Sequence, residues 1–304
     1  MIPILPEYRN IAIIINPRAR RGMAYRQVRK RLETVLRDLR IEAEWWETQG
    51  PGHATELAHR LRSEPIDMLL VAGGDGTVNE VVNGWVGHTV PLGVLPIGTS
   101  NILARVYGIR GSLEAACLRT FYGQPRPIPV GQANGRYFVL MAGVGLDGEV
   151  VAVTTYEQKF RWNRLAYAWH VLRLALRPCP YEIRVYPLEG EGLLMRATQV
   201  IVTLVPNYGG FFRIVPPRWL AEHPMWVVGF QRNRWWNYIK YCLLAVPGWH
   251  VRLPDVVTLR VSEELCIESA PTPVPVQVDG EAVGWTPVQV RLTGYSVRLV
   301  TPAF

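Results

Sequence analysis

The first third of the chain alternates short β-branched runs with longer amphipathic segments. Residues 11–15 form a continuous apolar run that predicts a buried strand, ending at Asn16-Pro17. In residues 24–39 the apolar positions recur at helical spacing, with Arg and Lys between them. Further runs predict strands at 43–47, 68–72 and 92–95, and helices at 53–61, from 77 and from 102. This alternation predicts a parallel sheet with helices on both faces.

The pattern changes near Gly123. Residues 124–129 carry three prolines and are predicted to be a linker, and Asn134-Gly135 predicts a hairpin turn. Alternating positions predict strands at 181–186, 197–205, 225–230, 256–261, 274–278 and 288–300, with helices near 162–176 and 234–245. We therefore predict an α/β domain at 1–124 and a β-sandwich domain at 125–304, with the last strand as a candidate to return to the first domain.

Composition narrows the class of protein. A length of 304 residues fits two domains. The composition, with 49% apolar and 19% charged residues, excludes a disordered chain or a coiled coil. The four cysteines form no CxxC pair, which argues against a zinc knot or a disulfide scaffold and favours a reducing cytoplasm. No segment is typical of a secretion signal or a membrane span. We therefore expect a cytoplasmic protein whose contact with the membrane is peripheral, at its inner face.

The net charge of +8 favours an acidic partner: a nucleotide, a nucleic acid or an anionic lipid. No nucleic-acid-binding module is recognised, so we expect no nucleic-acid partner. Basic and aromatic residues concentrate in 156–177 and 231–252, where the rings are Trp162, Trp169, Trp235, Trp236, Tyr238, Tyr241 and Trp249. Trp235-Trp236 beside Arg232 and Arg234 favours an anionic membrane surface. For any other single ring, packing on the sandwich is the favoured interpretation.

The most informative segment is Gly73-Gly-Asp-Gly-Thr77, which follows a predicted strand directly. Its glycines let the backbone approach a ligand, and the start of the following helix, with Thr77 as predicted cap, attracts phosphate. Asp75 would repel a phosphate unless a Mg²⁺ lies between them, so it is the predicted metal ligand. The alternative is an ordinary β-to-α turn. A GxGxxG match at 143–148 lies in the β-rich half without the acidic ribose ligand, so we interpret it as a chance match or as strand-turn geometry.

A second motif is Asp279-Gly-Glu281. In an extended backbone, residues two apart face the same side, so the two carboxylates could share a proton and serve as an acid/base pair. The alternative is a hairpin with an Asp-Gly turn and solvated carboxylates. The residues alone leave both interpretations open.

Taken together, the motifs resemble the catalytic domain of the diacylglycerol kinase family, which includes bacterial lipid kinases and the sphingosine and ceramide kinases. They are Asn16-Pro17, Thr48 with Gly52-His-Ala54, Gly73–Glu80, the run 92–101, Asn207-Tyr-Gly-Gly210 and Asp279-Gly-Glu281. The resemblance spans nearly the whole chain. The first glycine motif is also compatible with NAD kinases, whereas the later motifs and the length favour the lipid kinases.

The resemblance implies a nucleotide domain, a β-sandwich, and transfer of the γ-phosphoryl group of ATP to a lipid hydroxyl with Mg²⁺. Asp279 and Glu281 would form the acid/base site, either one being the base. Carried over by position, the nucleotide-binding residues are Asn16, Pro17, Arg18, Ala19, Arg20, Thr48, Gly73, Gly74, Asp75, Gly76, Thr77, Val78, Asn79, Glu80 and Thr99. The sequence does not name the lipid, and it leaves the oligomeric state open, including a homodimer through an edge strand.

Several positions depart from the family pattern. Ile102 and the pair Pro129-Val130 stand where the family often has aspartate, and the segment 221–224 retains only Glu222 of a structural Mg²⁺ site. These departures motivate a non-catalytic lipid- or nucleotide-binding relative as one alternative. A NAD kinase-like enzyme is the other alternative, although the basic-aromatic stretches would have no obvious use there.

Overall fold

The computed structural model describes residues 7–19, 24–153, 180–189, 192–209, 212–261 and 264–302. The chain divides into two compact units, which are described separately: unit 1 is Met1–Val130 with Gly294–Phe304, and unit 2 is Gly131–Thr293. Arg20, Gly210 and the predicted helix near 162–176 with its two tryptophans lie outside the described residues. Within the described ranges, no helix is both long and apolar enough to cross a bilayer.

Unit 1 alternates strands and helices as predicted. Its elements are β1 (Asn10–Ile15), α1 (Tyr25–Asp38), β2 (Glu42–Glu47), α2 (His53–Leu61), β3 (Met68–Gly73), α3 (Asp75–Trp85), β4 (Leu92–Pro96), α4 (Ile102–Val106) and α5 (Leu113–Phe121). The strands pair in parallel in the order β2-β1-β3-β4, which confirms the predicted parallel sheet. Every residue of β3 is buried, as expected for a central parallel strand covered on both faces.

Unit 2 is built mainly from antiparallel strands. Its elements are β5 (Gln124–Ala133), which begins in unit 1, then β6 (Arg136–Phe138), β7 (Met141–Gly145), α6 (Leu146–Val153), β8 (Glu182–Pro187), β9 (Met195–Ala197), β10 (Gln199–Thr203), β11 (Asn207–Tyr208), β12 (Phe212–Arg213), α7 (Pro217–Glu222), β13 (Trp226–Phe230), α8 (Trp235–Ala245), a 3-10 helix (His250–Arg252), β14 (Val256–Arg260), β15 (Leu265–Ala270), β16 (Pro275–Val278), β17 (Glu281–Trp285) and β18 (Val288–Thr301).

Two strand series of unit 2 share one apolar core. One series has the order β14-β13-β10-β7-β16-β17, and the other runs from the start of β18 through β15 and β8 to β9. Side chains of both series, such as Val144 and Val276 from the first and Ile183 and Ile267 from the second, belong to the same buried cluster. The predicted β-sandwich is confirmed, because two faces bury a common core.

The predicted linker at 124–129 is wrong, because these residues begin strand β5. Proline lacks a backbone N–H, but prolines at alternate positions place all the missing donors on one side of the strand, leaving the other side able to pair. The Asn134-Gly135 turn is confirmed: both residues have positive φ, 45° and 84°, and the turn joins β5 to β6.

The last strand belongs to both units. β18 begins in unit 2, where Val290 pairs with Leu265 of β15 in antiparallel fashion. It ends in unit 1, where Leu299 pairs with Leu92 of β4 in parallel. Unit 1 therefore takes its strand beside β4 from the far end of the chain.

Candidate functional site

The glycine-rich turn after β3 leads directly into helix α3. Gly74 is the N-cap in an extended conformation, and the helix begins at Asp75. The prediction that Thr77 caps α3 is wrong, because Thr77 already lies inside the first turn; its hydroxyl instead accepts a hydrogen bond from Asn16 Nδ2 at 3.1 Å. The first turn of a helix leaves backbone N–H groups without partners inside the helix, and these groups attract anions.

The turns after β3 and β4 come into backbone contact. A Cβ added to Gly98 would lie 2.4 Å from Gly74 Cα, so the turn after β4 leaves no room for a side chain at Gly98, whereas a Cβ on Gly74 would meet Gly98 Cα at an ordinary 3.4 Å. Asn101 closes the second turn: its side chain accepts from the Gly98 N–H at 3.0 Å and donates to the Gly98 carbonyl at 2.7 Å. Gly98 is therefore required by the approach of the two turns at the start of α3.

Asp75 is held by the start of helix α4. Its Oδ1 accepts a hydrogen bond from the Leu103 N–H at 3.1 Å. Burial raises the pKa of Asp75, and hydrogen bonds from backbone amides, including those of Ile102 and Leu103, offset only part of that effect. The ionised carboxylate is therefore incompletely compensated, and no ion pair of the described residues involves it.

This environment fits a shared cation. In the described part of the chain, no three His, Cys, Asp or Glu side chains form a metal-binding group. Mg²⁺ beside a nucleotide needs only one or two carboxylates, because phosphate oxygens and water complete its coordination. Asp75 is the residue of this turn that would hold it, and its role as a metal ligand stays a prediction.

Other predicted nucleotide residues gather at the carboxyl ends of the parallel strands. Asn16 follows β1 and closes a short turn, in which its Oδ1 accepts from the Arg18 N–H at 2.9 Å and its carbonyl accepts from the Ala19 N–H at 3.0 Å. Thr48 follows β2, and its N–H donates to the Ile15 carbonyl at 2.9 Å. Thr99 follows β4 and is exposed, as is Arg18. Because the strands are parallel, these turns share one edge of the sheet with the glycine-rich turn.

Three residues of the same prediction have other uses in unit 1. Val78 and Asn79 are buried within α3. The Glu80 carboxylate accepts from the N–H groups of Gly52 at 2.9 Å and Ala54 at 3.1 Å, and so caps the start of α2. A carboxylate at a helix N-terminus is stabilising. The side chain of Glu80 therefore has a structural role that needs no nucleotide.

In unit 2 the premise that Asp279 lies in extended backbone is wrong. Asp279 and Gly280 form the turn between β16 and β17, with φ of 49° and 87°. The buried Asp279 carboxylate accepts three backbone hydrogen bonds, at 2.9 to 3.0 Å, from the N–H groups of Val139, Leu140 and Met141. The alternative interpretation, a hairpin with an Asp-Gly turn, is confirmed for the backbone. Its second part, a solvated carboxylate, is wrong for Asp279.

Glu281 has a different environment. It is the first residue of β17, its side chain is 37% exposed, and Arg136 Nη2 lies 2.9 Å from its Oε2. An arginine partner favours the ionised carboxylate and holds it in one orientation. Asp279 therefore organises the turn, whereas Glu281 is the accessible carboxylate of the motif.

A buried polar cluster supports this hairpin, and sequence reasoning missed it. Gln277 donates to Asp147 Oδ2 at 2.5 Å and accepts from the Gly280 N–H at 2.7 Å, and the Tyr208 hydroxyl also donates to Asp147. The signals were present: Gln277 interrupts an apolar strand, and Asp147 lies inside the GxGxxG match. That match is a strand-to-helix junction between β7 and α6, as interpreted. Arg136, the partner of Glu281, carried no comparable signal.

The fold and the glycine-rich turn are those of a class of kinases. Residues 10–133 match the model described as diacylglycerol kinase catalytic domain, and residues 141–301 match the YegS C-terminal NAD kinase beta sandwich-like domain. The chain is 30% identical over 307 residues to a diacylglycerol kinase of Bacillus subtilis, covering 95% of each chain. The chain belongs to the diacylglycerol kinase family.

Solved structures agree with this fold. A diacylglycerol kinase structure from Bacillus anthracis matches with a TM-score of 0.77 at 20% identity, covering 97% of this chain and 98% of that one. An NAD kinase from Archaeoglobus fulgidus, solved in complex with ATP, matches with a TM-score of 0.53 at 13% identity, covering 96% and 94%. These likenesses confirm the predicted architecture, an α/β domain followed by a β-sandwich.

Proposed function

We propose that the protein is an ATP-dependent lipid kinase that transfers the γ-phosphoryl group of ATP to the hydroxyl of a diacylglycerol-like lipid. The observation that carries the proposal is the contact between the turns after β3 and β4 at the start of α3, within the matched catalytic domain. No side chain fits at Gly98, so backbone approaches backbone there, which suits a loop that cradles phosphates.

On the nucleotide side, the N–H groups at the start of α3 receive phosphate oxygens. The Asn16 turn is fixed beside them through the Thr77 hydroxyl, and exposed Arg18 adds positive charge. When bound, Mg²⁺ neutralises charge on the phosphates, and Asp75 is the residue that would hold it. The raised pKa of Asp75 supports this assignment, because a cation relieves the cost of burying its charge.

On the acceptor side, Glu281 is the proposed base. The lipid hydroxyl oxygen forms a bond to the γ-phosphorus, the bond from that phosphorus to the β–γ bridging oxygen breaks, and ADP leaves. The hydroxyl proton goes to Glu281, which is exposed enough to meet a substrate. Asp279 does not take this proton in the proposal, since three backbone N–H groups already occupy its oxygens.

The test is transfer of labelled γ-phosphate to mixed-lipid micelles containing diacylglycerol, with a Glu281→Gln variant. We expect kcat to fall by about 10²- to 10⁴-fold, the range for loss of a general base. Glu264→Gln is the matched control, because Glu264 is a similarly exposed carboxylate of unit 2, 31% against 37%, that also pairs with an arginine. Its activity should match the wild type.

Three outcomes would contradict the proposal. Phosphorylation of NAD, but of no lipid, would make the protein an NAD kinase-like enzyme. ATP binding without transfer to any acceptor would make it a non-catalytic relative, as the departures at Ile102 and Val130 suggest. Lipid phosphorylation that survives Glu281→Gln at full rate would keep the kinase and reject Glu281 as its base.

A further inference from the structure

Helix α8 is anchored to unit 2 by a narrow inward face. Its buried residues, Asn237, Tyr241 and Ala245, recur four apart. The Tyr241 ring packs on Phe230 with centroids 4.9 Å apart, and its hydroxyl donates to Asp255 at 2.9 Å. Tyr241 therefore packs on the sandwich, as expected for any single ring of these stretches. The position of α8 on the unit is fixed by this buried side.

The opposite face of α8 is apolar and exposed. Trp235, Ile239 and Leu243 also recur four apart, and Leu243 is 68% exposed. The same surface continues through Trp236, Cys242 and Val246 to Trp249 beyond the helix. Six of the thirteen exposed large hydrophobic residues in the described ranges lie in 235–249. A surface helix normally turns polar residues to water, so a contiguous apolar face marks an interaction surface.

Positive charge flanks this face. Arg232, Arg234 and Arg252 are exposed, and the Arg234 guanidinium lies 5.0 Å from the centroid of the Trp236 ring. The one acid between residues 231 and 255 is Asp255, which is buried and receives a hydrogen bond from Lys240 at 2.8 Å. Burial opposes ionisation of Asp255, but the hydrogen bonds from Lys240 and Tyr241 outweigh it and lower its pKa. Within residues 231–255 the exposed charged side chains are therefore all positive, and of these Arg232 also pairs with Asp255 at 3.6 Å.

We infer that α8 and its arginine flanks dock on an anionic lipid bilayer. The helix has 11 residues, too few to span, so it would lie along the surface with its apolar face among the headgroups. Tryptophan rings beside arginines suit that depth. The charge favours a bilayer over a second copy of the chain, because pairing two copies of this face would bring like charges together. The inference needs no nucleotide and does not rest on the proposed kinase activity.

The first test is vesicle flotation without ATP. The wild type should bind vesicles of phosphatidylglycerol and phosphatidylcholine, and bind pure phosphatidylcholine much less. Ile239→Gln with Leu243→Gln should weaken binding by about tenfold or more, since two apolar side chains leave the interface. Arg234→Gln with Arg252→Gln should also weaken it by about tenfold, and make it less sensitive to salt; Arg232 is kept because it pairs with Asp255 at 3.6 Å. Leu118→Gln with Leu194→Gln is the matched control, since both leucines are exposed elsewhere.

A second test places a probe in the face itself. Cys242 is exposed, whereas Cys117 is buried, so a polarity-sensitive fluorophore on Cys242 in a Cys179→Ser, Cys266→Ser background reports on α8. Its emission should shift to the blue on anionic vesicles. The same dye on a Leu118→Cys, Cys242→Ser chain should not shift.

Two results would overturn the inference. Bound protein whose Cys242 probe stays in water would place the membrane contact elsewhere. A dimer seen by analytical ultracentrifugation without lipid, and lost in Ile239→Gln with Leu243→Gln, would assign the face to a second copy of the chain.

Discussion

Each unit places an aspartate in a glycine-flanked turn, and the two carboxylates have different surroundings. Asp279 is buried in unit 2 and accepts three backbone N–H groups. Asp75, half-buried in unit 1, accepts the Leu103 N–H, and its pKa is raised by burial. The chain satisfies the charge of Asp279, whereas at Asp75 the backbone hydrogen bonds offset only part of the effect of burial. The comparison teaches that similar local motifs have different surroundings: Asp279 stabilises a hairpin, and the surroundings of Asp75 suit its proposed role as a Mg²⁺ ligand.

The largest expected effect comes from removing the satisfied carboxylate. Asp279→Ala leaves the N–H groups of Val139, Leu140 and Met141 without acceptors, and each buried unpaired group costs about 1–3 kcal/mol. We expect a loss of about 4 kcal/mol in the free energy of unfolding, measured by urea denaturation. Asp38→Ala, at an exposed position, should change it by less than about 0.5 kcal/mol. A stable Asp279→Ala protein would make the comparison untenable.

The contact between the glycine turns should be the next most sensitive point. In Gly98→Ala the new methyl group would lie 2.4 Å from Gly74 Cα, which forces the turns after β3 and β4 apart. We expect a loss of about 2 kcal/mol, with weaker ATP binding by calorimetry. Gly294→Ala is the control, because a Cβ there meets nothing within 4 Å. Unchanged ATP binding in Gly98→Ala would separate this contact from the nucleotide site.

The smallest effect on stability, and the sharpest contrast, is expected for Asp75→Asn. The amide oxygen can still accept from Leu103, while the burial of charge is removed. The unfolding midpoint at neutral pH should therefore be equal to or above that of the wild type. Activity should fall by about 10²-fold or more, because the anion that would hold Mg²⁺ is lost. If Asp75→Asn instead lost stability and activity together, Asp75 would have a structural role like that of Asp279.

The pH dependence of stability, compared between the wild type and Asp75→Asn, provides a further check. The pKa of folded Asp75 lies above its ordinary value of 3.8, so protonation favours the folded state. The stability from this group is fully present below the ordinary value and is lost as the pH rises through the raised one. The advantage of Asp75→Asn should thus shrink as the pH is lowered, in thermal melts at about pH 7.5 and about pH 5. If the difference in unfolding midpoint between Asp75→Asn and the wild type became larger at the lower pH, the raised pKa of Asp75 would be contradicted.

The hydrophobic pattern of the sequence predicts most of the strands and the two layers of the β-sandwich, because buried positions recur with the period of a strand. The apolar run of β3 reflects a strand covered on both faces, and the alternation along β8 reflects a strand covered on one face. The wrong prediction of a linker at 124–129 shows where such patterns fail. A high proline content usually indicates the end of a strand or helix, but a strand can contain prolines whose missing N–H groups all lie on its unpaired side. Helix α5 also went unpredicted, since Gly108 and Gly111 interrupt the helical pattern before it.

The candidate site was predictable in its position but not in its contacts. Strand order places the turns after β1, β3 and β4 at one edge, so the position of the proposed nucleotide loop follows from the motif and the topology. The orientation of Asp279 depends on amides about 140 positions earlier, and that of Glu80 on the start of α2. No local spacing encodes such distant partners.

The strand β18 has a consequence for how the protein is made. Until Leu299 leaves the ribosome, β4 lacks its parallel neighbour on that side. Residues 131–293 are synthesised in between, which takes on the order of ten seconds at about 5–20 residues per second. During translation the nascent α/β unit would expose an unpaired strand edge, the kind of surface that chaperones recognise and that promotes aggregation. Unit 1 thereby completes its parallel sheet only after unit 2 has been synthesised.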